Sequence, residues 1–210
     1  MKVAVIAANG RTGREFVMQA LASGYSVRAG IYNKNSLAIK HENLKILKCD
    51  ATNKQDLEAL IDGQDSVTCF IGHVQGSSAN VQTDSIKLVS QVMKDKKVSR
   101  LISLTGTGVR FPNDKITLID RILNLAISII DPARVKDGIN HVEVLKNSSL
   151  DWTVIRVLKL QGSKSKPYTL REHGPTKMFV SRHDVAKAAL EVIENNSFIK
   201  KAPIICKPKD

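Results

Sequence analysis

The sequence predicts an α/β fold built on a doubly wound parallel sheet with helices on both faces. Two observations carry this. Strand and helix signals alternate along the 210-residue chain, without a linker, repeat or low-complexity tract. The run Val3 to Ala7 mixes branched and small apolar residues, as a buried parallel strand does, and passes through a turn holding Gly10 and Gly13 straight into a helix.

Each element follows from local signals. Strands are predicted over residues 2–7, 26–31, 44–48, 66–71, 99–105 and 152–157. Helices are predicted over 11–23, 35–40, 54–61, 78–95, 115–130, 134–148 and 182–195. Phe16, Val17, Ala20 and Leu21 recur at helical spacing in the first helix, and Gly24 ends it. Asn53 is placed to cap 54–61. Ser181 and Asp184 resemble a capping box before Val185, Ala188, Ala189, Val192 and Ile193. This succession gives the strand order 3-2-1-4-5-6 of a Rossmann fold, with an added edge strand at Pro203 to Cys206. At this length the chain is expected to be one domain, residues 1–210.

Composition narrows the function. Hydrophobic content of 42% and charged content of 25% suit a globular protein. The longest apolar stretch, Leu118 to Ile130, is broken by Asp120, Arg121, Asn124 and Ser128, too short and polar for a membrane span. The apolar run Val3 to Ala8 is too short for a signal peptide, and Arg11 and Arg14 follow it. A cytoplasmic protein without membrane contact is expected. The net charge of +12 comes from 32 Lys and Arg against 20 Asp and Glu. These basic residues are scattered, and 4% aromatic content leaves few stacking platforms, so nucleic acid is not an expected partner. The charge reads as a basic solvated surface, with attraction of an anionic ligand such as a phosphorylated cofactor as a secondary role. Cys49, Cys69 and Cys206 lack paired spacing, so neither a disulfide framework nor a metal site is expected.

Ligands of such sheets bind beyond the carboxyl ends of the strands. Ala8, Asn9, Gly10, Arg11, Thr12 and Gly13 follow the first strand, and Tyr32, Asn33 and Lys34 the second. Asp50 and Ala51 follow the third, Gly72 and His73 the fourth. The fifth ends at Thr105, Gly106, Thr107 and Gly108, the sixth at Arg156, Val157, Leu158 and Lys159. A strand, Gly-bearing turn and helix together bind a dinucleotide pyrophosphate. The helix N-terminus offers unpaired N–H groups and partial positive charge, and glycine lets phosphates reach the backbone. Ala7 stands where the first glycine of Gly-x-x-Gly-x-x-Gly falls. NAD sites usually place an acidic residue after the second strand; Ile31-Tyr32-Asn33-Lys34 has none, while Lys34 and Arg11 suit a 2′-phosphate. NADP(H) is therefore expected over NAD(H).

Five segments carry a resemblance covering nearly the whole chain: residues 7–13, Cys49-Asp50-Ala51, Phe70-Ile71-Gly72, Leu150 to Arg156, and Ser181 to Ala186. The sequence resembles atypical short-chain dehydrogenases/reductases of the NAD(P)H-binding, NmrA-like family, most of all the biliverdin-IXβ reductase/flavin reductase group. Ala7, Ser149 and Val157 depart from the family's glycine, glycine and proline. The resemblance implies that backbone groups of Asn9 to Gly13 hold the pyrophosphate. It implies that Asp50 reaches the adenine amino group and Ala51 lines its pocket. Ile71 and Gly72 border the nicotinamide ribose, and Thr105 lies beside the nicotinamide. Asp50 equally suits a turn or cap, and His73 an exposed loop.

The Tyr-x-x-x-Lys pair of ordinary short-chain dehydrogenases is absent: Ala29, Ser36 and Glu172 stand four residues beyond Tyr25, Tyr32 and Tyr168. The expectation is an NAD(P)H-dependent oxidoreductase that sets the nicotinamide against a flat flavin, quinone or tetrapyrrole, with protons available from solvent. A non-catalytic NADP(H)-binding redox sensor is the alternative. Thr105, Thr107, His141 and Lys159 are the polar candidates near the acceptor, His141 equally suiting a helix surface. A substrate cap is expected from about 106–135 and 157–180. Within it Leu118, Ile122, Leu125 and Ile129 recur at helical spacing, as core or lid, or else as a dimer contact. Small-molecule acceptor apart, the chain is expected to be a monomer or homodimer.

Overall fold

The computed structural model describes residues 1–32, 37–111, 114, 117–162 and 164–208. The first half runs β1 (Lys2–Ile6), α1 (Arg11–Ala22), β2 (Ser26–Ile31), β3 (Leu44–Lys48), α2 (Lys54–Ile61), β4 (Ser66–Cys69) and α3 (Val81–Asp95). The second runs β5 (Arg100–Gly106), α4 (Leu118–Ile130), α5 (Pro132–Lys146), β6 (Asp151–Val157), β7 (Lys159–Gln161), β8 (Thr169–Arg171), β9 (Phe179–Ser181), α6 (Arg182–Glu194) and β10 (Ile204–Cys206).

The fold is a Rossmann fold. Its 8-stranded sheet has the order β3-β2-β1-β4-β5-β6-β10-β8, and β7 pairs with β9 in a separate ribbon. The predicted 3-2-1-4-5-6 core is present and parallel throughout. Along the central strand the pleat divides the side chains: Val3 and Val5 enter one core, Ala4 and Ile6 the other. Phe16, Val17 and Ala20 of α1 join Val185, Ala188 and Val192 of α6 in the first. Leu57, Leu60, Ile86, Val89, Val142 and Leu145, from α2, α3 and α5, form the second.

Helix ends follow the sequence. Gly24 takes φ 77°, where glycine meets no Cβ penalty. Gly24 N–H then reaches Leu21 O and Tyr25 N–H reaches Ala20 O, closing α1 in a Schellman motif. Asn53 and Ser181 accept from the Asp56 and Asp184 N–H groups, as their positions predict. The Asp184 carboxylate is engaged elsewhere, by Ser165 and the Lys166 N–H.

Several expectations are corrected. The helix placed at 35–40 is not seen over 37–40, where Ala38 takes φ 49°; residues 35 and 36 lie outside the described residues. A single left-handed residue ends so short a helix. The C-terminal strand is not an edge: β10 lies parallel to β6 and antiparallel to β8. Leu118, Ile122, Leu125 and Ile129 are not core: all are at least 59% exposed. Helix α4 instead turns Asn124 inward. Among the described residues, no helix is long and apolar enough to cross a membrane.

Candidate functional site

The site begins where β1 ends. Ala7 takes φ 60°, the left-handed region, and accepts the Gly10 N–H at 3.0 Å. This explains the glycine usual there, since alanine costs about 1 kcal/mol in that conformation. The turn presses α1 onto β1. A Cβ on Gly13 would stand 2.3 Å from Ala7 O and 2.9 Å from the Ala8 Cα; one on Gly10 would be 3.1 Å from Ala7 O.

The N-terminus of α1 has no side-chain acceptor. Gly10 supplies none, and the first turn contains no acidic residue. The other helices differ. Asn53 caps α2, Thr117 caps α4 in a capping box with Asp120, Asp131 caps α5 and Ser181 caps α6. Even α3, which lacks a cap of its own, receives the Asp137 carboxylate on the Gln82 and Thr83 N–H groups. Among the described residues, only α1 has no side-chain acceptor on its first N–H groups, which leaves them able to receive an anion. The close glycine turn and the bare helix end fit a dinucleotide pyrophosphate.

Arg11 opens α1, and Arg182 opens α6, which packs against α1. Burial and then the Arg11 charge push the Arg182 pKa down. Two neighbouring guanidinium groups suit a phosphate. Arg182 was not among the sequence candidates, because its partner of like charge is brought near only by the packing of α6 on α1.

The remaining strand ends gather on the same side of the sheet. Tyr32 is exposed after β2, while Asn33 and Lys34 lie outside the described residues. Asp50 forms a turn: Oδ1 accepts from the Thr52 N–H at 2.9 Å and the Thr52 hydroxyl at 2.7 Å. Ala51 is half-buried beside it. The carbonyl of Ile71 accepts from Gln82 Nε2 at 2.9 Å. Gly72 is exposed, and a Cβ there would meet nothing within 4 Å. Thr105 is buried, and a Cβ on Gly138 would stand 2.7 Å from its Oγ1, so that glycine admits α5 to the end of β5. Thr107 donates its hydroxyl to Asn124 at 3.1 Å and its N–H to Val157 O at 3.0 Å, joining β5, α4 and β6.

The remaining candidates are Arg156, Val157, His141 and Lys159. Arg156 is 1% exposed and saturated. Nε donates to Ala202 O at 2.7 Å, Nη1 to Val109 O at 3.0 Å, and Nη2 to Asp114 at 2.7 Å and Glu172 O at 3.2 Å. Its guanidinium also stacks 4.9 Å from the Phe111 ring. Val157 beside it is buried. His141 is an interior residue rather than a surface one, 3% exposed, with Nε2 3.0 Å from Ser103 Oγ. Burial pushes its pKa down to about 4, against the raising influence of Asp137. Lys159 is exposed on β7, its Nζ 5.6 Å from the Phe179 ring.

His73 is not an exposed loop histidine. Its Nε2 lies 2.8 Å from Asp137 Oδ2, and Asp137 is fully buried. Asp137 went unnoticed in the sequence, being separated from His73 by 64 positions. The available signal was Gly138, a glycine inside a helical pattern, which marks a close approach. A separate hollow of about 370 Å³, between residues 165–170 and the end of α6, is lined by none of the strand-end candidates.

The model of a family described as NAD(P)H-binding matches residues 7–196. Solved structures share the fold. A short-chain dehydrogenase/reductase of Veillonella parvula DSM 2008, in complex with NADP, aligns with TM-score 0.82 at 15% identity over 99% of this chain and 94% of that one. SP1627, a putative NADH-flavin reductase of Streptococcus pneumoniae TIGR4, aligns at 0.78 and 22% identity over 99% and 100%. ChuY, an anaerobillin reductase of Escherichia coli O157:H7, aligns at 0.79 and 17% identity over 100% and 98%. With the match spanning the cradle, every strand end and α6, the chain belongs to the NAD(P)H-binding family.

Proposed function

We propose that the protein is an NAD(P)H-dependent reductase, favouring NADP(H), that serves a flat acceptor such as a flavin, quinone or tetrapyrrole. The observation that carries it is the bare N-terminus of α1 over a turn that only glycine allows to be so close. In this reading the backbone of Ala8 to Gly13 holds the pyrophosphate, and the unpaired face of Asp50 meets the adenine over Ala51. Arg11 and Arg182, with Lys34, hold the 2′-phosphate. Ile71, Gly72 and Thr105 border the nicotinamide, which supplies a hydride when bound. The names of the structural neighbours, a flavin reductase and an anaerobillin reductase among them, support a planar conjugated acceptor.

Residues 106–135 and 157–180 form the cap over the acceptor in this reading, within a single domain of residues 1–210. Two links hold them together: the Thr176 N–H donates to Asp120, and Arg156 joins Asp114 to the Glu172 carbonyl. Three free, buried cysteines suit a reducing compartment such as the cytoplasm.

The test is direct. Purified protein is titrated with NADPH and with NADH, and the complex is then offered FMN, menadione and biliverdin while the reduced-nicotinamide absorbance is followed. The reading predicts tighter NADPH binding and loss of absorbance with at least one acceptor. Tight binding without turnover on any of them identifies the redox sensor instead.

A further inference from the structure

We infer that His73, oriented by Asp137, donates the proton that the acceptor needs in the reduction proposed above; the inference rests on that reading. The absent Tyr-x-x-x-Lys pair leaves the acid unassigned. The fold assembles one from two distant segments. His73 follows Gly72 in the loop after β4, and Asp137 projects from α5.

The geometry fixes the ring. Asp137 Oδ2 lies 2.8 Å from His73 Nε2 and 2.9 Å from the Gln82 nitrogen. Oδ1 accepts from the Thr83 N–H at 3.0 Å and the Thr83 hydroxyl at 2.5 Å. The Gln82 and Thr83 N–H groups can only donate, so the carboxyl group is an acceptor there. Burial raises the Asp137 pKa, but these hydrogen bonds outweigh it and hold it below the ordinary carboxylate value. An ionised Asp137 accepts a hydrogen bond from the Nε2–H, so any proton His73 exchanges leaves from Nδ1. Nδ1 has no partner among the described residues, and the His73 side chain keeps 12% of its surface exposed.

The surroundings place the dyad. Gln82 Nε2 binds the carbonyls of Ile71 and Leu104, at 2.9 and 3.3 Å, tying the loop to the end of β5. Gly138 brings α5 against Thr105. The dyad therefore sits between the ends of β4 and β5, beside Gly72 and Thr105. Asp137 is the charged group against His73; α3 contributes only uncharged Gln82 and Thr83, and His141, one turn along α5, is held neutral by burial.

The balance is simple. The acceptor gains a hydride, two electrons and one proton, from the reduced dinucleotide, and a second proton from Nδ1 of the His73 imidazolium, which is left neutral with its remaining proton on Nε2. The oxidised dinucleotide and the reduced acceptor depart, and water restores the His73 proton. Asp137 is the positioning residue.

The experiment uses the full chain. In nitrogen-15 imidazole spectra, His73 is expected to carry its neutral-ring proton on Nε2, and its Nδ1 signal to shift when NADP⁺ is added. A signal indifferent to NADP⁺, or a neutral ring protonated on Nδ1, overturns the assignment without any turnover. Turnover is then measured against pH for the wild type and His73→Gln, a change that leaves Asp137 its other three donors. On the order of 100-fold lower kcat is expected, with KM for NADPH much less affected, and loss of the decline that wild-type turnover shows as pH rises. His73→Gln with wild-type kcat and pH profile overturns the dyad alone. A wild type inert towards every acceptor overturns the dyad and the reductase reading together.

Discussion

Helices α1 and α3 begin beyond the carboxyl ends of neighbouring parallel strands, yet their N-termini are treated oppositely. The end of α3 is closed by a buried carboxylate carried in from α5, with His73 and Thr83 added to the same group. The end of α1 is left bare, with glycine at its cap. Both ends attract negative charge for the same reason, the unpaired N–H groups and the helix dipole. One carries its own anion and is part of the fold. The other has no anion of its own, and in the proposed function it receives one from outside.

Breaking the closed end should have the largest effect. Asp137→Ala strands four donors in the interior and is expected to cost on the order of 3–5 kcal/mol in chemical denaturation. A cost under about 1 kcal/mol would show that α3 is not closed in this way.

Acid sharpens the contrast next. The His141 pKa is lowered in the fold to about 4, against an unfolded value of about 6.5. Below about 6.5 the unfolded chain therefore binds more protons, and stability falls as pH falls towards 4, by about 3 kcal/mol in all. His141→Gln should flatten the unfolding free energy across that window. Asp137 acts at lower pH. Its depressed folded value keeps its contribution intact above the ordinary carboxylate range, and the contribution is lost as pH falls through that value. Neither group lies at the start of α1.

The open end should respond in binding rather than in stability. Replacing both Arg11 and Arg182 by alanine is expected to weaken NADPH by about 1–3 kcal/mol and NADH by much less, read by fluorescence titration. Equal losses for both cofactors would place the arginines away from the 2′-phosphate.

The bare end was legible in the sequence and the closed one was not. Local rules fix the first: an apolar run, Gly10 and Gly13 at a set spacing, and an amphipathic helix lie within the opening 23 residues. Even the departure at Ala7 was visible, although only its φ of 60° shows what the usual glycine is for. The Asp137 site joins residues 54 to 64 positions apart, and no local pattern encodes such a pairing. The same limit hides the burial of Arg156 and His141: their strand and helix are predicted, but their partners Asp114, Ala202 and Ser103 come from elsewhere. In α4 the periodicity revealed an amphipathic helix, but Leu118 and Ile129 on its apolar stripe face solvent, each 72% exposed. Helical spacing defines a stripe without saying what covers it.

The central claim is that the start of α1 receives the dinucleotide, and Gly10→Asp tests it by supplying the missing cap. The backbone there is extended, φ −66° and ψ 158°, a conformation that an aspartate N-cap adopts. NADPH is titrated into the wild type and the variant, and thermal unfolding of both is followed. The account predicts that the variant stays folded, its stability within about 1 kcal/mol of the wild type, because a capping carboxylate suits a helix N-terminus. Ala7 O, 3.1 Å from the new Cβ, has to give way by a few tenths of an ångström, which the gained cap offsets. The account also predicts that NADPH affinity falls on the order of 100-fold, because that carboxylate occupies the N–H groups and repels the pyrophosphate. Equal affinity in a folded variant, or a wild type that does not bind NADPH, would contradict it.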